Sequence, residues 1–250
     1  MTIAIITGGS RGLGKAMALD VASKGHDVIL TYNNKRAEAE AVVASIEKTG
    51  RKAVALHLDV SNTKSFPAFG ETVKETLKQA RQRDNFDFLV NNAGFGIHAP
   101  ITETTEEQFD QLVNVHFKGV FFLTQTLLPL MADGGRIINL SSGLARFASP
   151  GMSVYGSLKG AIEVLTRYMA AELGSRGISV NTVAPGAIAT DFGGGMVRDN
   201  EAVNRQIASQ TALGRVGQAE DIGGVVAALL SEDTRWINGQ KIEVSGGVNL

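Results

Sequence analysis

The chain contains no cysteine, which excludes disulfides, thiolate zinc sites and thiol nucleophiles together. Its four histidines are scattered and never adopt a metal-binding spacing such as HExxH. Surplus charge is missing too: 24 Lys and Arg face 25 Asp and Glu, a formal net charge of −1. No global field favours nucleic acid or an acidic membrane, so any attraction for an anion has to be local. No apolar run approaches membrane-span length. The opening Met1-Thr2-Ile3-Ala4-Ile5-Ile6 meets glycines at once and lacks the basic flank and length of a signal peptide. A cytoplasmic location is the default expectation.

What remains is ordinary globular composition, 250 residues with 44% hydrophobic and 20% charged, enough for one sizeable core. Short β-rich runs alternate with longer amphipathic ones, the pattern of repeated βαβ units. Strands are expected near Ile3–Thr7, Asp27–Tyr32, Ala53–Asp59, Phe86–Val90, Arg136–Leu140, Ile178–Val183 and Lys241–Val244. Helices are expected near Leu13–Lys24, Ala37–Thr49, Lys64–Gln82, Thr105–Met131, Val154–Ser175 and Ala219–Leu230. Strand interiors such as Ile3-Ala4-Ile5-Ile6 are continuously apolar, as strands covered on both faces are. The expected fold class is α/β: a single-domain, Rossmann-like, doubly wound sheet of about seven parallel strands with helices on both faces. One segment, 187–212, breaks the rhythm. Gly193-Gly194-Gly195 frees its backbone, and it follows a strand end, so it reads as a substrate lid or else a long surface loop.

Thr7-Gly8-Gly9-Ser10-Arg11-Gly12-Leu13-Gly14 links the first strand to the first helix. Glycines let backbone N–H groups approach a pyrophosphate, and the helix N-terminus adds partial positive charge. The turn is not a Walker loop, because Ala16 stands where that motif needs Ser or Thr. The second strand ends in Thr31-Tyr32-Asn33-Asn34-Lys35-Arg36, with no acid of the kind that meets a free ribose 2′-hydroxyl. Arg11 sits in the turn instead, ready for a 2′-phosphate. NADP(H) is therefore expected over NAD(H), with Tyr32 and Asn33 near the ribose. Lys35 and Arg36 are either further phosphate contacts or a solvated helix start.

With Tyr155-Gly156-Ser157-Leu158-Lys159 the sequence resembles the short-chain dehydrogenase/reductase family. The resemblance assigns the coenzyme turn to Gly8, Ser10, Arg11, Gly12, Leu13 and Gly14, and adenine contacts to Asp59 and Val60. It places Asn91, Ala93 and Gly94 of Asn91-Asn92-Ala93-Gly94 beside the cofactor. Ser142 becomes the catalytic serine, and Pro185-Gly186 with Ile188 and Thr190 the nicotinamide side. It also implies that Lys159 bonds the nicotinamide ribose and Tyr155 lies against the cofactor. The matches run from Thr7 to Thr190, and the Gly239-Gln240 and Gly246-Gly247 tail looks similar.

The residues support the same chemistry directly. Tyr155 and Lys159, at i and i+4, share one helix face. A phenol near pKa ~10 is a poor base at neutral pH. A Lys cation ~4 Å away, at an effective dielectric near ~20, would favour tyrosinate by about 4 kcal/mol. In reduction Tyr155 protonates the forming alkoxide while Ser142 hydrogen-bonds the same oxygen. Strand alternation sends neighbouring Ser141 elsewhere, to close a backbone hydrogen bond.

One position departs from the family. Where it commonly carries an Asn that links the lysine to water, this chain has His116. Two expectations stand: His116 takes over the relay, or it is satisfied by a backbone carbonyl. The substrate wall is expected from Phe95, Gly96 and Ile97, from Gly143-Leu144-Ala145-Arg146-Phe147, and from Phe192 to Met196. These are mainly apolar, suggesting a hydrophobic ketone or aldehyde, with Arg146 facing solvent.

The alternative enzyme is a 3-oxoacyl-carrier-protein reductase, which would need a basic patch from Arg146, Arg198 and Arg205. A non-catalytic dinucleotide sensor is a weaker alternative. Partners are expected to be a small carbonyl or alcohol substrate and further copies of the chain, with no nucleic acid and no membrane. The resemblance implies a homotetramer, with seams on Thr105–Met131 with Val154–Ser175 and on the C-terminal tail. The apolar Val225–Leu230 and Val248-Asn249-Leu250 fit buried contacts.

Overall fold

The strands and helices expected from the periodicity alternate along the chain, and strands that are neighbours in the sheet pair in parallel. The structure, a computed structural model, describes residues 2–250, leaving aside the side chains of Ala80 and Arg81. The strands are β1 (Ile3–Ile6), β2 (Asp27–Tyr32), β3 (Ala53–His57), β4 (Phe86–Asn91), β5 (Met131–Leu140), β6 (Ser179–Pro185) and β7 (Lys241–Val244). They form one sheet in the order β3-β2-β1-β4-β5-β6-β7, every neighbouring pair parallel. The order reverses between β1 and β4, and a ligand crevice opens at the carboxyl ends of strands at such a switch point.

Alternate side chains of each strand enter opposite cores. Ala4, Ile6, Val28 and Leu30 pack under helices α1 (Gly12–Ser23), α2 (Arg36–Glu47) and α9 (Ala219–Leu229), through Met17, Val42, Ile46 and Val226. Ile3, Ile5 and Ile29 pack under α3 (Phe66–Arg81), α5 (Gly119–Leu127) and α6 (Ser153–Leu173), through Phe66, Leu77, Leu123 and Met169. Burying each such side chain contributes roughly 1.5–3 kcal/mol, so both faces of the sheet are firmly covered. Val226, Ala227, Leu229 and Leu230 are buried inside the chain, and that part of the expected subunit seam is spent on the intramolecular core.

The expected single helix over Thr105–Met131 is divided. Thr105 caps α4 (Glu106–Val113) through a reciprocal bond with Gln108. One wide turn at Asn114–Lys118 follows before α5, an insertion that re-aims the inward face of a helix. It buries Val115 and His116. Pro129 ends the helical path because it cannot donate, and β5 has begun by Met131, five residues before the expected Arg136. Apolar residues continue on both sides of Pro129, from Leu127 to Met131, so apolar periodicity alone overran this boundary. Beneath the crevice a buried polar ladder ties helices to sheet. Asn91 Nδ2 donates to Asn139 (2.9 Å) and Thr124 (3.1 Å). Asn139 donates to Thr166 (2.9 Å), which also pairs with Thr182 (2.8 Å).

After β6, residues 187–212 leave the sheet. Gly193, Gly194 and Gly195 all adopt left-handed φ, 61°, 73° and 79°, which a side chain would strain. Two short helices follow, α7 (Met196–Asp199) and α8 (Glu201–Ser209), the latter capped by Asn200.

Candidate active site

The glycine turn is held by hydrogen bonds from two neighbouring strand ends. Gly8 N donates to Thr31 Oγ1 (3.2 Å) and Gly9 N to the Thr31 carbonyl (2.8 Å). Thr7 Oγ1 accepts from Asn92 N (2.9 Å) and Ala93 N (3.0 Å), while Asn92 Nδ2 donates to the Thr7 carbonyl (2.8 Å). A Cβ on Gly14 would lie 2.1 Å from the Gly8 carbonyl oxygen, so only glycine lets α1 start this close to the turn. Thr190 reaches the same place, its Cβ 3.7 Å from where a Gly12 side chain would begin. The Gly8–Gly14, Ala93–Gly94 and Pro185–Thr190 segments therefore converge, as expected. Leu13 lies half-buried in the first turn of α1, and Ser10 is buried.

These residues fit a dinucleotide bearing a 2′-phosphate. Backbone amides point from a glycine-lined turn at a helix start. Arg11 is half exposed, its guanidinium 3.6 Å from Asp191. At the end of β2, Tyr32 packs edge-on against His57 at 5.8 Å, and Asn33 is exposed. Lys35 pairs with Glu38 (3.5 Å) and Arg36 with Glu40 (2.7 Å), which is the solvated helix start. Asp59 accepts from the Ser61 backbone (2.9 Å) and hydroxyl (2.7 Å), and Val60 beside it is half-buried. The Asn91 side chain is committed to the buried ladder, leaving only its backbone for a cofactor. Asn92, which the sequence reading passed over, is the one whose side chain braces the turn.

Ser142, Tyr155 and Lys159 come together at the carboxyl end of β5 under α6. Ser142 Oγ accepts from Leu144 N (3.2 Å) and hydrogen-bonds the Tyr155 hydroxyl. The Lys159 ammonium is buried, donates to the Leu140 carbonyl (2.7 Å) and stands 5.4 Å from the Tyr155 ring centre. Ser141 Oγ lies 3.1 Å from the Lys159 carbonyl and 2.8 Å from Glu163 Oε1. It thus faces away from Ser142 and bonds backbone, as alternation implies.

The electrostatics differ from the expected ones. Burial pushes the Tyr155 phenol up, against a smaller lowering by the Ser142 hydrogen bond. Burial also lowers Lys159 to about 7. The expected tyrosinate stabilisation assumed a fully charged ammonium, whereas among the described residues no carboxylate pairs with this lysine to hold its proton. Desolvation therefore outweighs attraction.

His116 is neutral. Burial, and then the Lys159 charge, lower it to about 3 against a hydrogen bond with the Phe95 carbonyl. Its Nε2 donates to that carbonyl at 2.6 Å, while Nδ1 is buried without a partner among the described residues. The imidazole packs on Gly94, where a Cβ would come within 2.5 Å. His116 also meets Tyr155 edge-on at 5.1 Å, and Phe95 at 5.9 Å; Phe192 lies 5.7 Å from Tyr155. Four rings thus line the catalytic face. Gly96 is needed beneath Phe192, whose Cζ would be 2.9 Å from its Cβ.

Arg146 does not face solvent freely: it makes a two-pronged bond with Glu243 (2.8 Å and 3.0 Å). Arg198 is paired with Asp191 and Asp199, and Arg205 with Glu201. Each of the three candidate arginines for an acidic carrier protein thus already has a carboxylate partner. Among the described residues there is no His, Cys, Asp or Glu group able to hold a metal, and no helix long and apolar enough to cross a membrane.

Known proteins place this geometry. The profile of the family described as enoyl-(acyl carrier protein) reductase matches residues 8–249. A hydroxynaphthalene reductase-like protein, Arp2, of Metarhizium brunneum is 35% identical, over 98% of this chain and 94% of that protein. The crystal structure of the angucycline C-6 ketoreductase LanV with bound NADP superposes with a TM-score of 0.94 at 38% identity, covering 99% of this chain and 95% of that one. A short-chain dehydrogenase/reductase from Serratia marcescens gives a TM-score of 0.92 at 33% identity, over 100% and 98%.

Proposed function

The chain belongs to the short-chain dehydrogenase/reductase family and is an NADP(H)-dependent oxidoreductase acting on carbonyl or alcohol groups; on that premise we propose that it reduces a ketone carried on a planar, hydrophobic ring system, with Ser142, Tyr155 and Lys159 as its catalytic set. The observation that carries this is the row of rings Phe95, His116, Tyr155 and Phe192 beside a Ser142–Tyr155 hydrogen bond. Aromatic side chains prefer to stack or meet edge-on with other rings. The names of the hydroxynaphthalene reductase-like relative and of the angucycline ketoreductase point the same way.

When bound, NADPH supplies hydride to the carbonyl carbon. Ser142 donates to the carbonyl oxygen and orients it, and Tyr155 delivers the proton. Burial keeps the phenol protonated at neutral pH, the state in which it can act as the acid of the reductive direction. Lys159 would hold the nicotinamide ribose. His116 Nε2 fixes the Phe95 backbone, and its neutral Nδ1, unpartnered among the described residues, would be free to accept a hydrogen bond at the position where the family commonly carries an Asn. Arg11 would read the 2′-phosphate, with Gly8, Ser10, Gly12, Leu13 and Gly14 around the pyrophosphate. Asp59, Val60, Asn91, Ala93, Gly94, Pro185, Gly186, Ile188 and Thr190 would line the rest of the groove. Segment 187–212, hinged at its glycines, would close over the substrate and bring Phe192 onto it. Exposed Phe109, Phe121, Phe122 and Tyr168 on α4–α6, with Trp236 and Leu250, support a homotetramer.

The test is NADPH oxidation measured with planar aromatic ketones, open-chain ketones and acyl thioesters, repeated with NADH. Planar aromatic ketones with NADPH are expected to give the highest kcat/KM. A preference for acyl thioesters, or for NADH, would overturn the proposal.

A further inference from the structure

The last residues of the chain occupy an unusual position between two catalytic segments. Gly246 and Gly247, with φ of 63° and 79°, turn the chain after β7 so that it runs antiparallel to the end of the 187–212 segment. There Leu213 N donates to the Gly246 carbonyl (3.0 Å), Ala212 N to the Gly247 carbonyl (3.1 Å) and Asn249 N to the Gln210 carbonyl (3.0 Å). Thr211 and Val248 form the bridge between the two stretches. The other side of the same tail meets the loop that follows Ser142. Arg146 donates to the Val248 carbonyl (2.7 Å) and the Asn249 carbonyl (2.8 Å) while its remaining donors grip Glu243 of β7. Ser245 Oγ donates to that carboxylate as well (3.0 Å).

We propose, resting on the catalytic reading above, that the tail Gly246–Asn249 is a tie between the C-terminal root of the lid and the Ser142 loop, with Arg146 as its clasp and hence a positioning residue for turnover. The guanidinium suits this task because its rigid fork can grip a carboxylate with two donors and still reach further acceptors. All four of its bonds converge within five residues of Ser142, and the loop they fix contains Leu144, whose amide bonds the serine hydroxyl. Phe147, under the Arg146 guanidinium at 5.4 Å, is fixed with it. Movement of the lid root is thereby communicated to the serine through main-chain bonds rather than through the substrate. The hydrogen bonds of Arg146 go to Glu243, Val248 and Asn249 and to none of the catalytic groups, so its effect is on how well the lid and Ser142 are placed together.

The experiment compares wild type with Arg146→Ala and Arg146→Lys, full length. Lid opening is read by limited trypsin cleavage after Arg198 and Arg205, NADPH affinity by fluorescence titration, and kcat and KM with an aromatic ketone. Assembly is read by light scattering. Arg146→Ala should speed lid cleavage and lower ketone kcat/KM, each by about tenfold, the weight of a charge-assisted bond set at a partly exposed site. NADPH affinity and molecular mass should stay unchanged. Arg146→Lys, which keeps one charge but not the fork, should fall between. Unchanged lid cleavage, or losses that track dissociation or lost NADPH binding, would overturn the proposal. If wild type turned over no ketone, the catalytic reading would fail, while the cleavage rates would still decide whether the tail ties the lid.

Discussion

Lys159→Met should make the protein more stable at neutral and acidic pH while abolishing useful turnover. The lysine is buried without a carboxylate partner among the described residues, and burial lowers it from 10.5 to about 7. That gap corresponds to about 5 kcal/mol of differential interaction. The unfolded chain holds this proton up to about pH 10.5, the folded chain only to about 7. Between those values the unfolded state binds more protons, so stability rises with pH. Below about 7 both states are protonated and the whole penalty is felt.

Methionine removes the charge but also the bond to the Leu140 carbonyl, costing about 1–2 kcal/mol. The net gain at pH 6 is about 3 kcal/mol, or about 6–12 °C in Tm for a chain of this size. The assay is thermal and urea unfolding of both proteins at pH 6, 8 and 9.5, at equal protein concentration and without added NADPH. The difference between variants isolates this one group. It should be largest at pH 6 and shrink steadily by pH 9.5. A variant less stable than wild type at pH 6, or a difference flat across the range, would refute the assigned burial penalty.

Arg11→Ala should weaken NADPH about 10–100-fold, the range of a lost charge-assisted contact to phosphate, while leaving NADH within about twofold; fluorescence titration separates the two. Gly14→Ala places a Cβ 2.1 Å from the Gly8 carbonyl. It should therefore lower Tm and eliminate nucleotide binding together, checked by thermal unfolding with and without NADPH. His116 is held neutral down to about 3, so His116→Asn should change the size of kcat but not the shape of its profile from pH 5 to 9. An inflection near pH 6 in wild type that the variant lacks would speak against a neutral imidazole.

All seven strands were legible from the pattern of short β-rich runs, apart from the early start of β5, because runs such as Ile3–Ile6 are apolar at every position, as in a doubly covered sheet. The glycine turn was legible for a different reason: its residues are dictated by close backbone approaches, which only glycine tolerates. Tyr155 and Lys159 were legible as a pair from their i, i+4 spacing on one helix, whereas Ser142 came from the resemblance to the family. What stayed hidden depends on partners distant in sequence. The wide turn at Asn114–Lys118 has no marker, since Val115 and His116 continue a plausible helical pattern. Arg146 looked like a solvent-facing charge because Glu243 and the tail carbonyls lie about a hundred residues away. The expected lowering of the Tyr155 pKa credited Lys159 with a full charge, and only burial shows the opposite shift and how reluctant that lysine is to keep its proton. Asn139 and Thr182 could have been noticed as polar residues inside apolar strands, the signature of a buried network.

The most direct test of the central claim is Tyr155→Phe, which removes one hydroxyl and leaves the ring contacts with His116 and Phe192. NADPH binding, read by fluorescence, should persist, while turnover of an aromatic ketone falls about 10²–10⁴-fold, the usual weight of a positioned proton donor. Turnover within twofold of wild type, with NADPH still bound, would contradict the assignment of Tyr155 as the acid.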